Sequence, residues 1–472
     1  MGVSGLGGLS LSSLDSANAG SALAADLLFD GLTAYRADEE RVVPSVALSW
    51  SSAEGVHWTF TIDPSRTFSD GSSITATDVV ASLTQVARTA NTSLAGSRLG
   101  VIDGMASFVA GSASQISGLA APDSHTVSVT TSTPFQELPS LLADPSYGIA
   151  PAAANGGSGA AMVGSGPFKV TAVDATHVAL DRTSSSAAHL AGIDLMTYAN
   201  DAAALAAFDR HELDIAPIPA SSMDRTPRHA ASAALVYLSL NVHSPQMADI
   251  DVRKAVLKAL DRSKIVKEVP NGRATVAQGF VPEVVHSFGQ CGDLCASNAA
   301  AAAVTLKGAA GAPQRSFTLG FLEGDDLGRM AEEIKRQLDD AGVTVTLLPQ
   351  SAAVLSASLA AGTNDMILFG SVGLAPTPDP YLADAFGTDG IENTSTLSSA
   401  EVDAAIGLAR SAANDRERVS AYAAVERLVL EAAPAIPIAS MHRQYMSATN
   451  VHDDEPVAGV MFDGRMVWLS KR

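Results

Sequence analysis

The stretch from residue 58 to residue 83 constrains this chain more than any other. Trp58, Phe60 and Ile62 alternate with threonines, the period of a strand with one buried face. Asp63-Pro64 and then Ser69-Asp70-Gly71 interrupt the run with turn chemistry. Thr75 is followed three residues later by Asp78, a pattern close to the capping box that starts a helix. Val79, Leu83 and Val86 continue it as one apolar helix face. Strand, turn and capped helix within 26 residues mark a mixed α/β protein.

The rest of the chain carries the same alternation. Ala24 to Leu32 reads as a helical run, Val127-Ser128-Val129 as strand, and Leu138 to Leu142 as a short helix after Pro134. Residues 152–166, rich in Ala, Gly and Ser, read as a connection, followed by a strand from Lys169 to Val173. Val236 to Val242 is an apolar strand, and Asp251 opens a helix with Val252, Val256 and Leu260 on one face. Leu327, Met330, Ile334 and Leu338 mark an amphipathic helix that Gly342 stops, with Val343, Val345 and Leu347 as the next strand. A helical block over roughly 400–432 ends at Pro434 and Pro437. No repeat of fixed period appears, which removes solenoids and propellers.

At 472 residues the chain needs two or three packed lobes rather than one core. A hydrophobic share of 47% against 17% charged residues is that of a globular protein. The net charge of −20 repels nucleic acid and anionic membranes, and no Lys/Arg cluster offsets it. No uninterrupted apolar run is long enough to span a bilayer. The start, Met1-Gly2-Val3-Ser4-Gly5-Leu6, has neither the basic and apolar regions of a secretory signal nor the Ser or Thr of a myristoylation pattern. The two cysteines, Cys291 and Cys295, fit a small disulfide if the protein is exported. Free thiols come second, and a metal site completed by His286 third, because a fourth ligand is missing.

Motifs for catalysis are absent. There is no Gly-x-Ser-x-Gly elbow and no Gly-Lys of a phosphate loop. His211-Glu212 begins a zincin word, but Ile215 stands where the second histidine is needed. The ten histidines include no pair three or four apart on a helix and read as surface or hydrogen-bonded histidines. The most informative loop is Gly370 to Tyr381, which leaves the apolar strand Met366–Phe369; open α/β sheets hold ligands at such strand ends. Within it, Asp379 is either a ligand contact or a turn cap before a helix from Tyr381 to Phe386.

These segments, in this order, resemble the family 5 extracellular solute-binding proteins, the receptors of peptide and nickel ABC importers. The 58–83 stretch carries the resemblance most fully. Phe29-Asp30-Gly31-Leu32 with Val43-Pro44-Ser45-Val46-Ala47, Gly166-Pro167-Phe168, Leu240-Asn241-Val242 with Asp251-Val252-Arg253, Ile334 to Val345, and Pro434 to Ile438 add to it. The resemblance implies a two-lobed periplasmic-binding-protein-like fold of the class II, or cluster C, type. Lobe 1 would comprise 1–45, 163–237 and 443–472, with an extra subdomain inserted over 46–162. Lobe 2 would be 238–442, with hinge residues Leu240, Asn241 and Met441.

The same resemblance implies ligand-binding roles for Ser16, Asn18, Tyr147, Ser371, Thr377, Asp379 and Tyr381, and neither catalysis nor an obligatory cofactor. It also implies an exported monomer, periplasmic or lipid-anchored at the cell surface, whose leader has been removed and which serves a membrane permease. Two departures matter. Gly373 and Pro376 stand where peptide receptors carry a tryptophan and an amine-binding aspartate. Tyr147 stands where nickel-type members place an arginine. The missing charged anchors imply an uncharged, modified or backbone-held peptide-like ligand. The alternative is a receptor fold that has lost transport and serves as a regulatory or scaffold partner.

Overall fold

A computed structural model describes the chain except residues 1, 5–18, 37–38, 40, 92, 153–161, 185, 220–221, 223–224, 226–227, 283–284, 286–290, 309–312, 373–376, 455–462 and 472. The chain forms two compact units. Unit 1 comprises Met1–Ala230, Leu374–Thr377 and Arg443–Arg472; unit 2 comprises Ala231–Gly373 and Pro378–His442.

The first helix of unit 1 is α1 (Ala19–Leu28). A helix as far as Leu32 was expected, but competing partners end it at Leu28. Ser165 Oγ takes the N–H of Asp30 at 2.8 Å, and the carbonyls of Gly31 and Leu32 accept the N–H groups of Val46 and Ala47. The backbone therefore leaves the helix to pair elsewhere. Strands β1 (Ala47–Ala53), β2 (His57–Ile62), β3 (Leu119–Asp123) and β4 (Thr126–Thr130) form an antiparallel sheet in the order β1-β2-β4-β3. Along β2, Trp58, Phe60 and Ile62 are buried while His57, Thr59 and Thr61 face out, as the alternation requires.

Helix α2 (Ala76–Ala87) covers that sheet with Val79, Leu83 and Val86. Its start is fastened as the sequence implied: the Asp78 carboxylate accepts the Thr75 N–H at 2.9 Å and the Thr75 hydroxyl at 2.6 Å. A second sheet of unit 1 contains β5 (Phe168–Val173), β6 (His177–Arg182) and β7 (Gly192–Tyr198), with Gly2–Ser4 pairing in parallel to β7. Leu23, Leu27, Phe168, Leu180 and Leu195 pack α1 against this sheet.

Unit 2 is built on the strands β8 (Arg228–Leu240), β9 (Ser316–Leu322), β10 (Thr344–Gln350), β11 (Met366–Val372) and β12 (Ala435–Ser447). β9 lies parallel to both β10 and β11, whereas β8 runs antiparallel to β11. β8 and β12 each extend across a passage between the units, at 230/231 and 442/443. Helix α3 (Ile250–Ala259) starts one residue earlier than expected, because the Asp249 side chain accepts the Asp251 N–H and so acts as the cap. Helix α4 (Asp325–Asp340) buries Met330, Ile334 and Leu338 and leaves Leu327 partly covered.

After α4 the chain turns at Gly342, whose φ of +95° suits glycine alone and where a Cβ would come within 2.5 Å of the Lys307 side chain. The expected helical block at 400–432 is two helices, α5 (Ala400–Ser411) and α6 (Asp415–Ala432). They are separated where the Asn414 side chain caps α6 by accepting the Glu417 N–H. Cys291 and Cys295 are joined by a disulfide, with Cα atoms 5.5 Å apart and both residues buried in the unit 2 core.

Candidate functional site

The loop singled out in the sequence leaves β11 at Val372 and is described again from Thr377. Ser371 pairs with Leu235 across β8 and β11; its side chain lies outside the described residues, as do Ser16, Asn18 and His286. From Pro380 to Asp384 the chain winds into a short π-helix, with the Tyr381 and Leu382 N–H groups both bonding the Pro378 carbonyl. Prolines at 378 and 380 hold φ near the same value on either side of Asp379, so this turn is stiff.

Asp379 is not a turn cap. Its carboxylate receives a two-pronged bond from Arg410 on α5, Nε to Oδ1 at 2.7 Å and Nη2 to Oδ2 at 2.9 Å. The hydroxyl of Tyr422 on α6 donates to Oδ1 at 2.9 Å. Burial by itself would lower the Arg410 pKa, but the adjoining Asp379 carboxylate more than offsets it and keeps the guanidinium charged. Both charges of the pair are thus matched inside unit 2.

Thr377 belongs to unit 1 although Pro378 belongs to unit 2. Its hydroxyl donates to Glu137 Oε1, and the two residues are only 1% and 4% exposed. Tyr381 is buried in the unit 2 core. In unit 1, Tyr147 is buried as well and its hydroxyl donates to the Ala95 carbonyl at 2.9 Å. The turn that carries it is capped by Asp144, which accepts the Ser146 N–H at 2.8 Å and whose pKa burial pushes up. Gly148 follows because Phe29 leaves no room: a Cβ there would stand 2.4 Å from the Phe29 Cβ. Arg98 is buried, and its charge acts on Asp144.

Of the residues expected at a hinge, Met441 pairs with Ala274 next to the 442/443 passage. Leu240 and Asn241 lie inside unit 2. The Leu240 N–H bonds the Pro434 carbonyl at 2.7 Å, and the Asn241 side chain bonds Gly362, His243 and Thr396. Asn241, Ser244, Asp365 and Thr396 line a recess of about 420 Å³ in unit 2. Among the described residues no group of three or more His, Cys, Asp or Glu side chains could hold a metal.

Sequence reasoning missed Arg410, Tyr422 and Glu137. Each meets the loop from a distant position, 31 to 240 residues away, so no local spacing announces it. A buried-seeming Asp in a Pro-rich loop was the one available signal, since such a carboxylate demands a cation.

Comparison with known proteins follows the same lines. The model of the family described as bacterial extracellular solute-binding proteins, family 5 Middle, matches residues 41–393. The peptide transport periplasmic protein SapA of Haemophilus influenzae is 26% identical over 227 residues, which span 46% of this chain and 40% of that protein. The oligopeptide-binding protein OppA of Bacillus subtilis is 26% identical over 284 residues, 55% of this chain and 52% of that protein. The chain thus spans about half or less of the length of these curated relatives. Among solved structures, the murein tripeptide-binding protein MppA in an unliganded open form superposes with a TM-score of 0.81 at 20% identity, over 98% of this chain and 95% of that one. The substrate-binding protein CtaP of Listeria monocytogenes gives 0.81 at 19% identity, over 100% and 98%.

Proposed function

Because the chain belongs to family 5 of the bacterial extracellular solute-binding proteins, we propose that it captures a peptide or peptide-like solute outside the cytoplasm and presents it to the permease of an ABC importer. The two units would act as the lobes, with the 230/231 passage and the 442/443 passage beside Met441 as the hinge. Capture would favour the closed arrangement through contacts on both lobes. The protein would work as a monomer, without catalysis or a cofactor, periplasmic or lipid-anchored.

The observation that carries the ligand class is the engagement of Asp379. Its carboxylate is already matched by Arg410 and Tyr422, so it offers no free charge to a ligand's amine. Burying an ammonium group needs a free counter-charge. This turn therefore favours peptides whose ends are blocked, or that are held through backbone amides. The peptide reading itself agrees with the descriptions of SapA and MppA.

The test is a thermal-shift comparison of trialanine with N-acetyl-trialanine amide, together with native mass spectrometry of the protein as purified. Binding raises Tm by mass action, by about 3 °C at a ligand concentration about a hundredfold above Kd for a protein of this size. A shift with the capped peptide and none with the free one supports the reading. A larger shift with the free amine refutes the proposed class. No shift with either, and no co-purifying small molecule, favours the scaffold role.

A further inference from the structure

Unit 2 gathers unused acceptors at the end of β11 away from the candidate turn. Asp365 directly precedes β11, and the seven residues of that strand put its two ends about 20 Å apart. Asp365 lines the recess of about 420 Å³ together with Asn241, Ser244 and Thr396, all of them in unit 2. A recess of that size falls within the range of small-molecule sites.

The Asp365 carboxylate is half-buried, and each bond it makes is to a neutral donor. Oδ1 accepts the Ser244 hydroxyl, and Oδ2 accepts the Thr318 N–H at 2.9 Å and the Thr318 hydroxyl at 3.0 Å. A carboxylate has about four acceptor positions, so one on Oδ1 remains. Among the described residues no lysine, arginine or histidine forms an ion pair with Asp365. The helix Ala352–Ala361 ends at the same recess. Gly362 and Thr363 donate their N–H groups to the Leu359 and Ser358 carbonyls, but those of Ala360 and Ala361 accept no bond from the described residues. Such a helix end carries about half a negative charge.

Asn241 shapes this recess and has no bond left to offer. Its Nδ2 donates to the Gly362 carbonyl at 3.1 Å and the Asn364 carbonyl at 3.4 Å, and its Oδ1 accepts the His243 N–H at 3.1 Å and the Thr396 hydroxyl at 3.0 Å. Thr396 is held at a φ of +57°, a region that β-branched residues rarely adopt, so this wall is kept in place against backbone strain. Pro245 and Leu359 add apolar surface, and no described lysine or arginine lines the recess.

We propose that this recess is a second binding site, for a primary alkylammonium group. The ammonium donates to Asp365 Oδ1 and to the two carbonyls at the helix end, and the alkyl stem lies on Pro245 and Leu359. Three donors on one nitrogen match those acceptors, and the cation supplies the charge that the half-buried carboxylate lacks. A metal ion fits less well, since among the described residues no group of three or more His, Cys, Asp or Glu side chains could hold one. The net charge of −20 draws cations toward the protein in general. The site stands whether or not the turn around Asp379 binds a solute.

Hydrogen–deuterium exchange on the full chain tests it, with n-butylammonium chloride as the probe. At about 10 mM, and with a Kd of about 5 mM, the probe should slow exchange of peptides covering 359–366 about threefold and leave those from α4 unchanged. Tetramethylammonium chloride (a cation without donors), n-butanol (a stem without charge) and calcium chloride should give no protection at the same concentration. Asp365→Asn keeps an oxygen acceptor and removes the charge. Thr363→Lys sets a competing ammonium at the exposed rim. Each should abolish the slowing. No slowing by butylammonium overturns the proposal. Equal slowing by tetramethylammonium, by butanol or by calcium does so too, because screening, apolar contact or a metal would then explain it. Undiminished slowing in Thr363→Lys is the remaining refuting result, and that variant decides if Asp365→Asn loses protection throughout. Nα-acetyl-lysine N-methylamide separates the sources: slowing equal to that by butylammonium extends the site to lysine side chains, slowing by butylammonium alone limits it to free amines, and both support the ammonium site.

Discussion

Replacing Arg410 with methionine tests whether the ion pair at the turn is as consequential as its geometry implies. The substitution keeps much of the stem's volume but takes both Arg410 bonds from the Asp379 carboxylate, leaving the 2.9 Å bond from Tyr422 in place. Two unit charges about 3 Å apart attract by roughly 5 kcal/mol at an effective dielectric near 20. Part of this is offset by the cost of having taken both groups out of water. Asp379 is 8% exposed and Arg410 25%, so the site is shielded yet not dry. Removing one partner from a buried pair costs about 3 to 5 kcal/mol, and the partial exposure of Arg410 places this pair near 3 kcal/mol. For a unit of this size, with a urea m-value of about 2 to 3 kcal/mol/M, the midpoint for unit 2 should fall by about 1 M. Urea melts followed by exchange of peptides from α5 and α6 would report that unit by itself. Asp379→Asn in the Arg410→Met background should recover part of the loss, since it removes the uncompensated charge. A midpoint shift below about 0.3 M, or no recovery in the double variant, would refute the claim that the pair is matched and buried.

Further expectations concern pH and the disulfide. Burial pushes the Asp26 carboxyl up to about 7 from its ordinary value of 3.8, against the opposing pull of Arg465. The folded state then holds this proton more tightly than the unfolded chain. Stability from this group is present below about pH 4 and is lost as pH rises through 7. Asp26→Asn should flatten the fall in Tm between pH 5 and 8 and stabilise the protein by about 2 kcal/mol at pH 8; an unchanged profile would count against it. Glu426 in unit 2 is likewise raised to about 7 by burial, with the Phe280 N–H bond pulling the other way. Glu426→Gln should remove a pH dependence of the same sign from unit 2 peptides and leave those of unit 1 as they were, read by exchange at pH 6 and 8. Replacing Cys291 and Cys295 with serine should cost about 2 kcal/mol, the loop-entropy value for so short a ring, measured by urea unfolding; a loss near zero would show that the unfolded chain gains little from release.

The sequence made periodic elements legible wherever one face is buried. Trp58, Phe60 and Ile62 announced β2, and Met330, Ile334 and Leu338 announced α4, because burial of every second or every third to fourth residue leaves a pattern in the chain. It was less informative where a distant partner competes for a backbone group. Nothing near Leu28 says that Ser165, 135 residues later than Asp30, will take the N–H of Asp30 and end α1. Asn414 was readable as a cap in principle, but the even apolar content of 400–432 hid the break.

The site divides along the same line. That the loop after Phe369 is a candidate site was readable from a strand end followed by Pro-Asp-Pro. What its aspartate does was not, because the answer lies with Arg410 and Tyr422 on two separate helices. Sequence departures at Gly373 and Pro376 argued that the loop lacks an amine anchor, and the pairing of Asp379 removes the other carboxylate that could have served. Two independent lines therefore converge on a turn without free charge. On the proposed capture reading, such a turn would select ligands by shape and backbone bonding, and its shape is held by the bonds of Asp379 to Arg410 and Tyr422.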